Sequence, residues 1–219
     1  HYATLQNLYG VDEVLEAYRE GDADFHDIVA DMAEIPRSQA KTINLGLFYG
    51  MGKNKLQAEL GVSKDKAEEL FRQYHHKVPF VKQLMDNVMR RAQDSGRIRT
   101  LLGRLCRFHL WEPNAFGIHK ALPHEQALRE HGPGIKRAYT YKALNKLIQG
   151  SAADMTKKAM IELYYNLGVI PHIQVHDELD ISIASPAHAE EIKTVMENAV
   201  DLEIPNKVDY ESGPNWGTI

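Results

Sequence analysis

Two groups of residues have types and spacing suited to chemistry on a phosphate ester. The first is RSQAKTINLGLFYG, where Arg37, Lys41, Leu45 and Tyr49 follow one another in steps of four up to Gly50. On an α-helix such steps fall on nearly one face. That face carries two cations at its N-terminal end, then an aliphatic side chain, then an aromatic ring. Pro36 suits the start, because its missing N–H costs nothing in a first helical turn. Cations at that end oppose the helix macrodipole, and a polyanion with its phosphates over the same turns would offset the cost. A solvated basic turn leading into a core helix fits the spacing equally well.

The second group is Gln174-Val175-His176-Asp177-Glu178. Apolar residues alternate around it through Ile173, Val175, Leu179, Ile181 and Ile183, which predicts two short strands joined by a tight turn. Hairpin tips favour Asn-Gly or Asp-Gly. This tip carries two adjacent carboxylates, which repel unless a cation or hydrogen bonds compensate. Mg²⁺ takes carboxylate oxygens together with substrate phosphates. Solvation is the commoner fate of such a turn, and His172 with His176 on one strand face leaves a transition-metal site as a weaker option.

The elements that must position these groups are mostly helical. Residues 1–19 and 24–34 have helix-compatible composition, broken by Gly21. The basic helix over 36–49 stops at Gly50 and Gly52, which suit a C-terminal cap. A short helix over 53–60 ends on Gly61. Ser63 then caps a long helix to about Asp94, with Pro79 kinking or dividing it and Gly96 closing it. Residues 97–110 read as a hairpin turning near Gly103, and 111–134 as an irregular insertion. Helix resumes over 135–167. After the acidic hairpin, Ser185-Pro186 opens a helix to about 200, and a last strand is expected near 207–211. The fold class is therefore α+β, mostly helical, with a small antiparallel sheet.

Composition excludes several classes. No apolar run approaches the ~20 residues that cross a bilayer, so no membrane role is expected. The single cysteine, Cys106, forms no internal disulfide and no cysteine-rich zinc site, which fits a reducing compartment. Net charge is −4, but its distribution is uneven: 35–107 holds 15 Lys/Arg against 6 Asp/Glu, and the rest holds 11 against 24. A phosphate-facing segment on an acidic scaffold has this signature, as does a basic helical face with no partner.

Taken in order, Arg37-x3-Lys41-x3-Leu45-x3-Tyr49-Gly50, then Gln149-Gly150-Ser151-Ala152-Ala153-Asp154, then Gln174–Glu178 resemble the family A DNA polymerases, in their bacteriophage form. The resemblance covers nearly the whole chain. It implies polymerase fingers over 1–100, with a nucleotide-binding helix at 36–50, and part of the palm over 101–219, with a catalytic hairpin at 170–184. It further implies that Arg37 holds the distal phosphates of a deoxynucleoside triphosphate and that Lys41 neutralises the charge of departing pyrophosphate. His26 would touch the triphosphate, while Tyr49 and Gly50 would admit the templating base. Arg104, Asn145, Gln149, Gln174 and His176 would contact primer–template DNA. Asp177 would be a catalytic aspartate and Mg²⁺ ligand, with Glu178 its weaker neighbour. Leu45 departs from the pattern, since Phe or Tyr usually packs there against the sugar.

In that family two Mg²⁺ ions lie between carboxylates on both sides, and the first aspartate belongs to a motif just upstream of His1. The chain is accordingly expected to be inactive alone and to need the missing N-terminal segment or a split subunit. The expected location is cytoplasmic, in a bacterial host if phage-encoded. Two other readings compete: a catalytically dead module that binds nucleic acid or a polymerase subunit, and a metal-dependent hydrolase built on HIQVHDE.

Overall fold

The computed structural model describes residues 26–27, 30–31, 35–48, 51–77, 79–117, 119–202 and 204–218. The helix expected over 1–19, most of that over 24–34, Tyr49 and Gly50 lie outside the described residues. The chain forms two compact units, dividing between Ile148 and Gln149.

Residues 26–27 and 30–31 are helical, and four helices follow: α1 (Arg37–Phe48), α2 (Lys53–Leu60), α3 (Lys64–Lys77) and α4 (Pro79–Ser95). Local chemistry sets their ends. The Met51 N–H donates to the Gly46 carbonyl at 2.8 Å just beyond α1. Gly52 starts α2 with φ −82°, so the expected C-cap role does not fall on it. Gly61 ends α2 with φ 62°, a left-handed conformation that glycine adopts without strain. Ser63 Oγ accepts the Lys66 N–H at 3.2 Å and so caps α3. The long helix expected from Ser63 is divided, and Pro79 occupies the first position of α4.

The core of this unit gathers Ile43 from α1, Leu56 from α2, Leu70 and Tyr74 from α3, and Val88 and Ala92 from α4. Tyr74 is fully buried, its hydroxyl has no partner among the described residues, and burial pushes the phenol well above its ordinary range. A buried hydroxyl without a partner carries a desolvation cost. Tyr74→Phe is therefore expected to stabilise the chain by about 1 kcal/mol, read as a raised midpoint in urea unfolding. A lowered midpoint would show that the hydroxyl is satisfied.

Gly96 (φ 67°) turns the chain out of α4 into a hairpin of β1 (Arg97–Arg99) and β2 (Leu105–Arg107), with Ile98 opposite Cys106 and Gly103 at φ 87° in the turn. Residues 111–134 are not the irregular insertion expected. They contribute to β3 (Leu110–Pro113), β4 (Leu122–Pro123) and α5 (His124–His131). Together with β5 (Ile135–Arg137) the strands form an antiparallel sheet of order β4-β3-β5, Trp111 facing Arg137. These strands are too short to display alternation, which is why no period marks them. Trp111 fixes the arrangement: the Arg137 guanidinium lies 4.5 Å over its ring and His124 meets it edge-on at 4.6 Å. Arg137 also donates to the carbonyls of Gln93 (3.0 Å) and Phe108 (2.9 Å). Helix does not resume at 135, because that segment is committed to the sheet. A 3-10 turn over Thr140–Lys142 leads instead into α6 (Ala143–Leu167).

The second unit takes the remainder of α6, a hairpin of β6 (Ile173–Val175) and β7 (Glu178–Asp180), and α7 (Pro186–Glu197). Leu163, Ala159, Ala189 and Ile192 are buried. Ser185 caps α7, its Oγ accepting the His188 N–H at 3.2 Å. The strand expected near 207–211 does not form, since among the described residues no strand lies alongside it. Side chains tie the segment down instead: Glu197 Oε1 accepts the Val208 N–H at 3.0 Å, and Asn206 Nδ2 donates to the Val200 carbonyl at 3.2 Å. Among the described residues no helix is long and apolar enough to cross a membrane.

Candidate functional site

Helix α1 turns Ala40 and Ile43 into the core, both fully buried, and leaves Arg37 and Lys41 exposed on the other side. The four-residue step thus puts the two cations one turn apart on a solvent-facing strip, as the pattern predicts. Leu45 lies on the same helix one turn further on. Arg37 is engaged: its Nε stands 2.6 Å from Asp27 Oδ1, with the side chains 57% and 52% exposed. An ion pair so open to water contributes roughly 0–1 kcal/mol, little enough for a triphosphate to displace. Asp27 directly follows His26, which is half-buried. The structure therefore sets Arg37 beside Asp27, the residue after His26, an acidic partner that no spacing rule pointed to. Its only signal was its place in the ADFHD phrase.

Arg104 is exposed on the β1–β2 hairpin, where its N–H donates to Thr100 Oγ1 at 3.0 Å and its carbonyl accepts the Thr100 N–H at 3.0 Å. Asn145 lies in the first turn of α6, and its Oδ1 is buried with no hydrogen-bond partner among the described residues. Such an acceptor calls for a ligand or a water. Gln149 follows one turn later and is exposed.

In the second unit the hairpin gathers Gln174, His176, Asp177 and Glu178. Val175 pairs with Glu178 across the strands, so His176 and Asp177 form a two-residue turn. His176 takes φ 54°, which histidine tolerates better than most residues. Gln174 Nε2 donates to the His176 carbonyl at 2.6 Å and braces the turn. His172 Nε2 lies 2.9 Å from Ser182 Oγ, so an ordinary hydrogen bond already occupies it, against the transition-metal option. Asp177 and Glu178 are exposed and adjacent.

Two open carboxylates and no thiolate make a hard oxygen donor set, which fits Mg²⁺ completed by water and substrate phosphate. Among the described residues no three His, Cys, Asp or Glu side chains are grouped to hold a metal ion. Asp177 and Glu178 would therefore form one side of a site. Asp180 gives no further ligand at the tip; it pairs with Ile173 at the opposite end of β7, where its carbonyl accepts the His172 N–H at 2.8 Å.

A cationic helix face, a QGSAAD helix and an acidic hairpin follow one another in this order along the chain. The chain belongs to DNA polymerase family A, whose family model matches residues 4–218. It is 33% identical to a DNA-directed DNA polymerase of Pseudomonas phage M6, over 99% of this chain and 36% of that protein. It is 34% identical to DNA polymerase I of Geobacillus stearothermophilus, over 97% of this chain and 24% of that one. Among solved structures it resembles the POL domain of Pol1 from M. smegmatis, solved in complex with DNA primer-template and dNTP. The TM-score is 0.67 at 28% identity, covering 92% of this chain and 35% of that chain. The 219 residues thus span about a quarter to a third of these proteins.

Proposed function

We propose that this chain supplies the fingers and part of the palm of an enzyme that adds deoxynucleotides to a primer 3′ end under the direction of a template. The observation that carries the reading is the match to family A over residues 4–218, combined with exposed cations on α1 and exposed carboxylates at the β6–β7 tip. The primer 3′-hydroxyl attacks the α-phosphate and pyrophosphate leaves. Arg37 grips the distal phosphates, exchanging Asp27 for them, and His26 orients the triphosphate. Lys41 meets the charge that grows on the leaving group, which is the electrostatic work phosphoryl transfer demands.

Asp177, with Glu178 beside it, would hold Mg²⁺, and that ion would supply charge neutralisation at the phosphates. Arg104, Asn145, Gln149, Gln174 and His176 position the primer–template, and Tyr49 with Gly50 receives the templating base. The functional division into fingers over 1–100 and palm over 101–219 belongs to this reading, distinct from the compact units. So does the host cytoplasm as its place of work. A carboxylate opposite Asp177 is also required. The reading places it on a preceding segment or a second subunit.

Primer extension tests the proposal. The 219 residues alone, with Mg²⁺, are expected to add no nucleotide, and joining them to a family A segment bearing the first aspartate restores addition. Extension by the chain alone would contradict the division of the site, and binding without synthesis after joining would favour a dead module.

Leu45 gives a specificity prediction. Leucine offers apolar contact to the sugar but no phenol, so the joined enzyme is expected to discriminate against dideoxynucleotides. Leu45→Tyr is expected to relax that discrimination by about tenfold or more, a shift of ~1.4 kcal/mol in relative transition-state binding. Equal termination ratios for the two enzymes would refute the assignment.

A further inference from the structure

Residues 97–146 carry 10 Lys/Arg against 3 Asp/Glu, whereas the rest of the chain carries 16 against 27. Within this basic stretch Tyr139 and Tyr141 are 40% and 58% exposed, and their rings meet edge-to-face at 6.5 Å. The Lys142 ammonium lies 5.2 Å from one ring and 5.5 Å from the other. Tyr139 takes φ 61° and ψ 13°, a left-handed conformation that a bulky residue keeps only where its surroundings impose it.

The surroundings do impose it. Ala138 is buried and donates its N–H to the Leu110 carbonyl at 2.8 Å, and Ala143 is buried on the other side. Lys142 donates its N–H to the Tyr139 carbonyl at 3.0 Å. The Gln93 carboxamide serves both backbone groups of Arg137 when its oxygen faces the N–H (2.9 Å) and its nitrogen the carbonyl (3.3 Å). A firmly anchored and strained turn therefore holds two aromatic rings and a cation at the surface, where neither ring gains from full burial.

We propose that Tyr139, Tyr141 and Lys142 form a stacking platform for an unpaired nucleic-acid strand. The identification of the strand as template DNA rests on the polymerase reading above. Every base has a π-face, and in an unpaired strand that face is free to stack on an aromatic ring, while cations track the backbone phosphates. Within a duplex the same faces are covered by neighbouring bases. The positive balance of 97–146 selects a polyanion over an apolar protein surface.

The test is fluorescence anisotropy of the 219-residue chain with a labelled oligothymidylate of about 16 nucleotides and with a blunt duplex of equal length, at about 50 mM salt. Tyr141→Ala is expected to weaken oligothymidylate binding about fivefold or more, Tyr141→Phe to retain it, and neither to change duplex binding or the circular-dichroism melt. Lys142→Gln is expected to lower the salt slope by about 0.7, the value for one phosphate on a single strand. Unchanged affinity in Tyr141→Ala, no oligothymidylate binding by the wild type, or an equal loss on duplex would each overturn the platform. Primer extension by the joined enzyme is read separately. Its absence with the platform intact would count against the polymerase reading alone.

Discussion

Asp177→Asn, in the chain joined to its complementary polymerase segment, is expected to slow nucleotide addition by about 10³-fold or more. The amide keeps the size of the carboxylate but not its charge, so a hard divalent cation loses an anionic ligand. The tip is exposed, and its turn is braced by Gln174 on the His176 carbonyl, a bond the substitution leaves alone. The melt of the variant should therefore match the wild type while single-turnover addition collapses. Glu178→Gln is expected to cost less, since the proposal gives it the weaker share in holding the ion. A variant at 177 that adds nucleotides at the wild-type rate would remove the hairpin from the chemistry.

Lys41→Ala is the second large effect, expected at about 10²- to 10³-fold in kcat, the usual cost of deleting one charge-stabilising group at a transition state. Its side chain is exposed while Ala40 and Ile43 beside it are fully buried, so truncation should spare the packing of α1. Nucleotide affinity should change much less than kcat, because the role proposed for the lysine is to meet charge that develops as pyrophosphate departs. Arg37→Ala should show the opposite division, with KM rising most. Exchange of these two patterns would reverse the roles assigned to the cations.

Local signals were legible in the sequence wherever the stabilising bond is local. Ser63 and Ser185 reach N–H groups three residues away, and Gly61, Gly96 and Gly103 take left-handed turns at the expected places. The step of four from Arg37 to Lys41 and the acidic hairpin tip belong to the same kind, because one helix face or one turn contains each. What escaped depends on distant partners. Trp111 pairs with Arg137 across the intervening helix α5, and strands of two to four residues carry no readable period. Helix composition after 135 yielded to the sheet that needed β5. Asp27 escaped for the same reason, since its meaning comes from Arg37, ten positions away.

The left-handed His176 in the β6–β7 turn restricts how this position can drift. Glycine, asparagine and aspartate accept φ 54° at small cost, whereas valine, isoleucine and threonine would strain the backbone next to the carboxylates. A saturation library at this codon, scored for stably folded protein rather than for nucleotide addition, should therefore return a narrow set of variants sorted by backbone tolerance. Glycine and asparagine should be the most frequent survivors, and a β-branched residue among them would mean that the turn can re-form with another backbone.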